Sequence, residues 1–189
     1  MMRIITGKAR GVRLNTLEGE NTRPTSERVK ESVFSMIQFD IEGRCVLDLF
    51  SGSGQLSLEA LSRGASHAVM VDSSKDAVRI IKANAQKTKL DGLCDIYNCG
   101  HNEYIAKNKG KKFDLVFLDP PYALQLCAQA IDGLLRSDML KPTSIIVCES
   151  AEEDIFAKAP DLKEKFETLK LARYSRSYIT IITPKKEDV

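Results

Sequence analysis

Two stretches of this chain carry residue types that can do chemistry. The first is Asp48-Leu49-Phe50-Ser51-Gly52-Ser53-Gly54, set between the apolar run RCVLDL and the helix-forming run QLSLEALSRG. Glycines at such a junction let the backbone turn tightly and approach a ligand, which is how doubly wound sheets hold nucleotide-like cofactors. A dinucleotide fingerprint calls for a third glycine where Ser57 stands. Asp48, ahead of the glycines, would repel a pyrophosphate, whereas it can accept hydrogen bonds from a cationic amino-acid group. The loop therefore favours S-adenosylmethionine over a nicotinamide dinucleotide. Asp72 closes the next apolar run, HAVMVD, where a carboxylate can accept both ribose hydroxyls; its alternative role is to cap the helix that SSKDAV begins. Ser73 is grouped with it as a cofactor contact.

The second stretch is Asp119-Pro120-Pro121-Tyr122, directly after the apolar run FDLVFL. Two prolines cannot continue a strand or donate to its ladder, so the chain is held stiff with its acceptors pointing outward. The Asp119 side chain and the Pro120 carbonyl can each accept one N–H of a planar exocyclic amine, and Tyr122 offers a ring face on which a base can stack. The lone pair of such an amine is delocalised into the base. Acceptors on both of its hydrogens raise the electron density on nitrogen and aim it at a methyl sulfonium, so positioning and electrostatics carry the rate. Neither a metal nor a covalent intermediate is required.

These residues need strand ends to hold them. From residue 44 onward short apolar runs alternate with helical patterns: RCVLDL, HAVMVD, LCDIYN, FDLVFLD and TSIIVCES, with helices between them. That alternation predicts βαβ units and a parallel sheet, and unbroken runs such as LVFL predict strands covered on both faces. Gly64 after SLEALSR predicts a helix C-terminus. KFETLKLARY and SYITIITP lie too close together for a crossover helix and predict a closing antiparallel hairpin. At the other end RIITGKARGVRL reads as a small β-hairpin, followed by an amphipathic helix on which Val29, Val33, Met36 and Ile37 recur at helical spacing after the start signals Pro24 and Thr25. Residues 1–40 are thus expected to be an appendage, and residues 41–189 the catalytic domain.

The 189 residues are 43% hydrophobic and 29% charged, which predicts one globular domain, and the net charge of +2 does not by itself demand a polyanionic partner. The distribution is more telling. Arg3, Lys8, Arg10 and Arg13 form an acid-free cluster in residues 1–16, and Lys107, Lys109, Lys111 and Lys112 form another; each can face phosphates or simply solvent. Five cysteines without a CxxC pair, and two histidines, give no zinc-ligand spacing, so no metal is expected and the thiols read as reduced. No long apolar stretch or apolar leader is present, and a cytoplasmic protein is expected.

DLFSGSG, the acid in MVD and DPPY together resemble the amino-methyltransferase superfamily. With RIITGKARGVRL, RPTSERVKESVF, LDLFSGSGQLSLEALSRGA and VFLDPPY in that order, nearly the whole chain is similar to the RsmD family of bacterial 16S rRNA guanine-966 N2-methyltransferases. The resemblance implies an α/β, Rossmann-like class I S-adenosylmethionine-dependent methyltransferase fold. Its sheet would be mostly parallel and seven-stranded, with the C-terminal antiparallel hairpin and the small N-terminal β-hairpin and helix. It implies a methyl donor bound by Asp48, Phe50, Ser51, Gly52, Ser53, Gly54 and Asp72, and a guanine held by Asp119, Pro120, Pro121 and Tyr122. It also implies that Arg23, Pro24 and Thr25 lie near the site. The substrate would be 16S rRNA in a partly assembled small subunit, held by Lys8, Arg10, Arg13, Arg23 and Thr25, and the protein a monomer.

Two departures from the family pattern stand out. Ser57 replaces a common glycine, and Gly100 falls where relatives often present an aspartate to the cofactor adenine, leaving Asn98, His101 and Asn102 as candidates. For His101 a surface position at a helix start is the preferred expectation. The rival readings are an adenine-N6 methyltransferase, which shares DPPY, a nicotinamide-dependent oxidoreductase, and an RNA-binding protein on an inactive methyltransferase fold.

Overall fold

The computed structural model describes residues 2–16, 27–121, 126–175 and 177–185. Seven strands, β1 (Cys45–Asp48), β2 (His67–Asp72), β3 (Cys94–Asn98), β4 (Phe113–Leu118), β5 (Leu140–Ser150), β6 (Phe166–Tyr174) and β7 (Ser177–Pro184), form one sheet in the order β3-β2-β1-β4-β5-β7-β6. Strands β1 to β5 run parallel, and β7 pairs antiparallel with both β5 and β6, so the closing hairpin is present. From β1 the chain first winds outward through β2 and β3, then returns to the other side of β1 as β4. The strand order therefore reverses between β1 and β4, the place where open α/β sheets leave a ligand crevice outside the strand C-termini.

The helices are α1 (Glu27–Met36), α2 (Gln55–Ser62), α3 (Lys75–Thr88), α4 (His101–Lys107), α5 (Leu126–Arg136) and the single turn α6 (Pro160–Lys163). Two apolar layers sandwich the sheet. Val29, Val33 and Phe34 of α1, Leu58 and Leu61 of α2 and Ile81 of α3 pack with Leu115 and Phe117 of β4 on one face. Tyr104 and Ile105 of α4 and Ile131 and Leu134 of α5 pack with Val116 and Leu118 on the other. This alternation along β4 explains its unbroken apolar run, since each side chain so buried contributes about 1.5–3 kcal/mol.

Gly64 ends α2 as expected, at φ +105. Its N–H bonds the Leu61 carbonyl and that of Ala65 bonds the Ala60 carbonyl, the paired bonds of a Schellman ending. β5 starts earlier than TSIIVCES suggests: Leu140 already pairs with Phe113, and the register then shifts before Leu115 meets Ile145. The turn α6 was not anticipated, its four residues being too few to show a period.

The expected N-terminal β-hairpin takes a reduced form, a looped arm with one antiparallel bridge, Arg3 to Arg13. The chain does fold back, with Ile4 N–H on the Val12 carbonyl and Leu14 N–H on that of Met2. Between them the arm bonds itself at Gly11 N–H to the Ile4 carbonyl, and it also bonds α2. Ile5 and Thr6 N–H groups donate to the Glu59 carboxylate at 2.7 and 3.0 Å, Lys8 N–H to the Ser62 carbonyl, and Ala9 N–H to Ser62 Oγ at 2.9 Å. Backbone groups must be paired somewhere, and here α2 outcompetes a ladder. Gly7, at φ +88, makes the close approach possible, since a Cβ there would lie 1.8 Å from the Ser62 carbonyl oxygen.

Candidate active site

Strand β1 delivers Asp48 to the crevice, buried at 1% exposure. Ser57 Oγ, one turn into α2, donates to Asp48 Oδ2 at 3.0 Å. Asp48 Oδ1 is equally buried and meets no hydrogen-bond partner among the described residues. Burial pushes this carboxyl up to about 7, and the Ser57 hydroxyl opposes the rise. An acceptor-only oxygen held dry at the mouth of a glycine loop fits a ligand that brings an N–H donor. Ser57, a departure from the family pattern, thereby holds the Asp48 carboxyl, a contact that spacing alone did not reveal.

The loop after Asp48 is built by its own bonds. Ser51 Oγ donates to the Asp48 carbonyl and accepts the Val71 N–H, while Ser51 N–H donates to the Val71 carbonyl, pinning the loop to β2. Gly52 and Gly54 take positive φ of 54 and 77. At Gly54 a Cβ would press on Met70 Sδ and Ile81 Cγ2 at 3.2 and 3.3 Å, whereas Gly52 faces open space. Asn84 of α3, fully buried and absent from the sequence reading, donates to the carbonyls of Ser53 and Asn15 and accepts the Asn15 N–H. It ties the loop to the N-terminal arm. A lone Asn on an amphipathic helix gives no sequence signal for such a tie.

Asp72, at the end of β2, accepts Gly52 N–H on Oδ2 at 2.8 Å and Ser74 N–H on Oδ1 at 2.9 Å. It does not cap α3, because that role belongs to Ser74, whose hydroxyl accepts Ala77 N–H. Each Asp72 oxygen keeps a further acceptor lone pair beyond these bonds. Ser73 is exposed beside it, and Asn98 at the end of β3 donates to the carbonyls of Asp72 and Ser73.

The expectation of a surface His101 is corrected. It does begin α4, but its ring packs on Phe50 at 4.9 Å between centroids, and its Nε2 is buried without a partner among the described residues. Burial lowers its pKa and favours the neutral ring. Its apolar surroundings come from Phe50, distant in sequence, so a local reading could not find them.

Asp119 is half-buried, Pro120 buried and Pro121 exposed just past β4. Phe117 pairs with Asp48, which sets the Asp119-Pro120-Pro121 corner next to the glycine loop across adjacent strand ends. On its far side a small, shallow cleft of about 30 Å³ runs between Pro120, Pro121, Leu126 and Cys127 and the end of β5 at Glu149, Ser150, Ala151 and Glu152, with Ile155 behind. Tyr122, Arg23, Pro24 and Thr25 lie outside the described residues.

The two basic clusters differ. Lys8, Arg10 and Arg13 are exposed on the arm, while Arg3 pairs with Glu27. In the second cluster Lys107 pairs with Glu103, Lys112 with Asp138, and Lys111 lies over the Phe113 ring. Glu103 one helical turn away and Asp138 from across the fold supply acids to this cluster, which favours a solvated surface there. Among the described residues no His, Cys, Asp and Glu side chains gather as a metal cluster, and no helix is long and apolar enough to cross a membrane.

The sequence matches the family described as conserved hypothetical protein 95 over residues 2–183. It is 36% identical over 154 residues to the Haemophilus influenzae protein named ribosomal RNA small subunit methyltransferase D, covering 80% of each chain. The Escherichia coli protein of that name is 32% identical, over 84% of this chain and 79% of its own. A Danio rerio protein named rRNA N(6)-adenosine-methyltransferase is 32% identical over 71% of this chain and 66% of its own. Among solved structures, yhhF of Escherichia coli superposes with a TM-score of 0.86 at 28% identity, covering 98% of this chain and 99% of that one.

Proposed function

Because this chain belongs to the RsmD family, we propose that it transfers a methyl group from S-adenosylmethionine to the exocyclic N2 amine of a guanine in 16S ribosomal RNA. The observation that carries this reading is the pairing of two sites on adjacent strand ends at the switch point. One is Asp48, with its buried unpaired Oδ1 under a glycine loop, and the other is the Asp119-Pro120-Pro121 corner.

When bound, the cofactor supplies a methyl group activated on a sulfonium. Asp48 Oδ1 accepts an N–H of its ammonium, Asp72 accepts the ribose hydroxyls, and Phe50, Ser51, Gly52, Ser53, Gly54 and Ser73 line the path between them. The Asp119 carboxylate and the Pro120 carbonyl take the two N–H bonds of the acceptor amine, and Pro121 keeps that corner stiff. Tyr122 stacks the base, which must be unpaired or flipped out to reach the site. Lys8, Arg10, Arg13 and Arg23 contact phosphates around it, with Thr25 nearby. In this reading residues 1–40 hold RNA and residues 41–189 carry the chemistry. The substrate is a partly assembled small subunit, and the protein is a cytoplasmic monomer.

A second reading, methylation of adenine N6, is favoured by the Danio rerio relative and by DPPY, which selects an amine and not a base. Both readings predict that Asp119→Ala abolishes methyl transfer while S-adenosylmethionine affinity changes far less. Unchanged transfer by this variant contradicts the assigned chemistry.

A further inference from the structure

We infer that the N-terminal arm is part of the cofactor site, with Asn84 of α3 as the positioning residue through which the docked arm fixes the glycine loop; this rests on the assignment of S-adenosylmethionine to that loop. The arm reaches the loop at one residue, Ser53, by two separate routes. Asn84 Nδ2 donates to the Ser53 carbonyl at 2.8 Å, and Ser53 Oγ donates to Met2 Sδ at 3.1 Å. Asn84 is fully buried, and both ends of its amide also engage the main chain of Asn15 in the arm. It accepts the Asn15 N–H at 2.8 Å and donates to the Asn15 carbonyl at 3.0 Å.

These bonds set the direction of the amide. Oδ1 is committed to the Asn15 N–H, so Nδ2, with its two hydrogens, faces the carbonyls of Asn15 and Ser53. A turned amide would set oxygen against both carbonyls and leave buried groups unpaired. Asn15 therefore orients the donor that holds Ser53. The Ser53–Gly54 peptide is clamped at both ends, its oxygen by Asn84 and its N–H by the Ser51 carbonyl at 2.7 Å. The clamp matters because Gly52 and Gly54, on either side, sit at positive φ, and glycine by itself rotates freely. What keeps Asn15 in reach is the docking of the arm on α2, where Gly7 meets Ser62 at the end opposite the loop.

The test measures S-adenosylmethionine affinity by calorimetry on the full chain. Gly7→Ala, which lifts the arm at the far end of α2 and touches no loop residue, is expected to weaken binding about threefold or more, and Asn84→Ala about tenfold, as the loss of one buried hydrogen bond. The double variant is expected to bind no more weakly than Asn84→Ala alone, because both changes act along one path. Leu134→Ala opens a cavity in the apolar layer on the other face of the sheet, and is expected to destabilise the fold while affinity stays at the wild-type value. Wild-type affinity in Gly7→Ala, additive losses in the double variant, or an equal loss in Leu134→Ala overturn the inference and leave the loop as the cofactor site. Should Asn84→Ala fail to fold, the contrast between Gly7→Ala and Leu134→Ala decides alone. Wild-type affinity in Asp48→Asn overturns the loop assignment and this inference with it.

Discussion

Asp48 couples stability to pH in an unusual direction for a carboxylate. Burial raises it from 3.8 to about 7, so between those values the folded protein holds a proton that the unfolded chain has released. Its contribution is fully present below pH 3.8 and is lost as pH rises through about 7. The displacement is worth about 4 kcal/mol in all, of which about 2.5 kcal/mol disappears between roughly pH 5 and pH 8. Asp48→Asn keeps the shape and an acceptor for Ser57 but does not titrate. Urea denaturation of both proteins across that range should show the wild type losing stability relative to the variant as pH rises. In the bound state the sign reverses, because only the ionised carboxylate suits an ammonium. Wild-type affinity for S-adenosylmethionine should rise about tenfold between roughly pH 6 and pH 8, following the ionised fraction, and Asp48→Asn should bind more weakly with no such rise. A stability difference that stays flat with pH would refute the argument that burial holds Asp48 neutral in the free protein.

The docked arm gives three further expectations. Gly7→Ala should cost about 2–3 kcal/mol in urea denaturation, because its Cβ meets the Ser62 carbonyl at 1.8 Å and its φ is positive. Glu59→Ala should cost about 3–5 kcal/mol, since it leaves Lys30, 1% exposed, without its carboxylate partner at 3.6 Å and strands the Ile5 and Thr6 N–H groups. A smaller loss than that from Gly7→Ala would contradict the importance of this buried pair. Replacing Lys8, Arg10 and Arg13 together by Ala should weaken RNA binding and flatten its salt dependence by up to about 0.9 per lost phosphate contact, as read by filter binding at several salt concentrations.

The residues proposed to carry the chemistry were legible where local sequence dictates position. Asp48, Asp72 and Asp119 each follow an apolar run, and a strand that ends in a carboxylate at a glycine or proline corner places that carboxylate at the crevice. The parallel strands and the closing hairpin were equally accessible, because alternation forces parallel strands and two strands without a crossover force a hairpin, whereas the strand order was not. What escaped depends on contacts distant in sequence. The arm was read as a hairpin because nothing local says that Glu59 and Ser62 accept its N–H groups. Asn84 looked like an ordinary helix residue until Ser53 and Asn15 came against it.

The most direct test of the central claim is transfer of labelled methyl from S-adenosylmethionine to small subunits from a strain lacking this protein, with the RNA then digested to nucleosides and separated. The account predicts label in N2-methylguanosine from 16S rRNA. Label in N6-methyladenosine would keep the amine chemistry and contradict the base, and RNA without label would contradict the methyl-transfer reading.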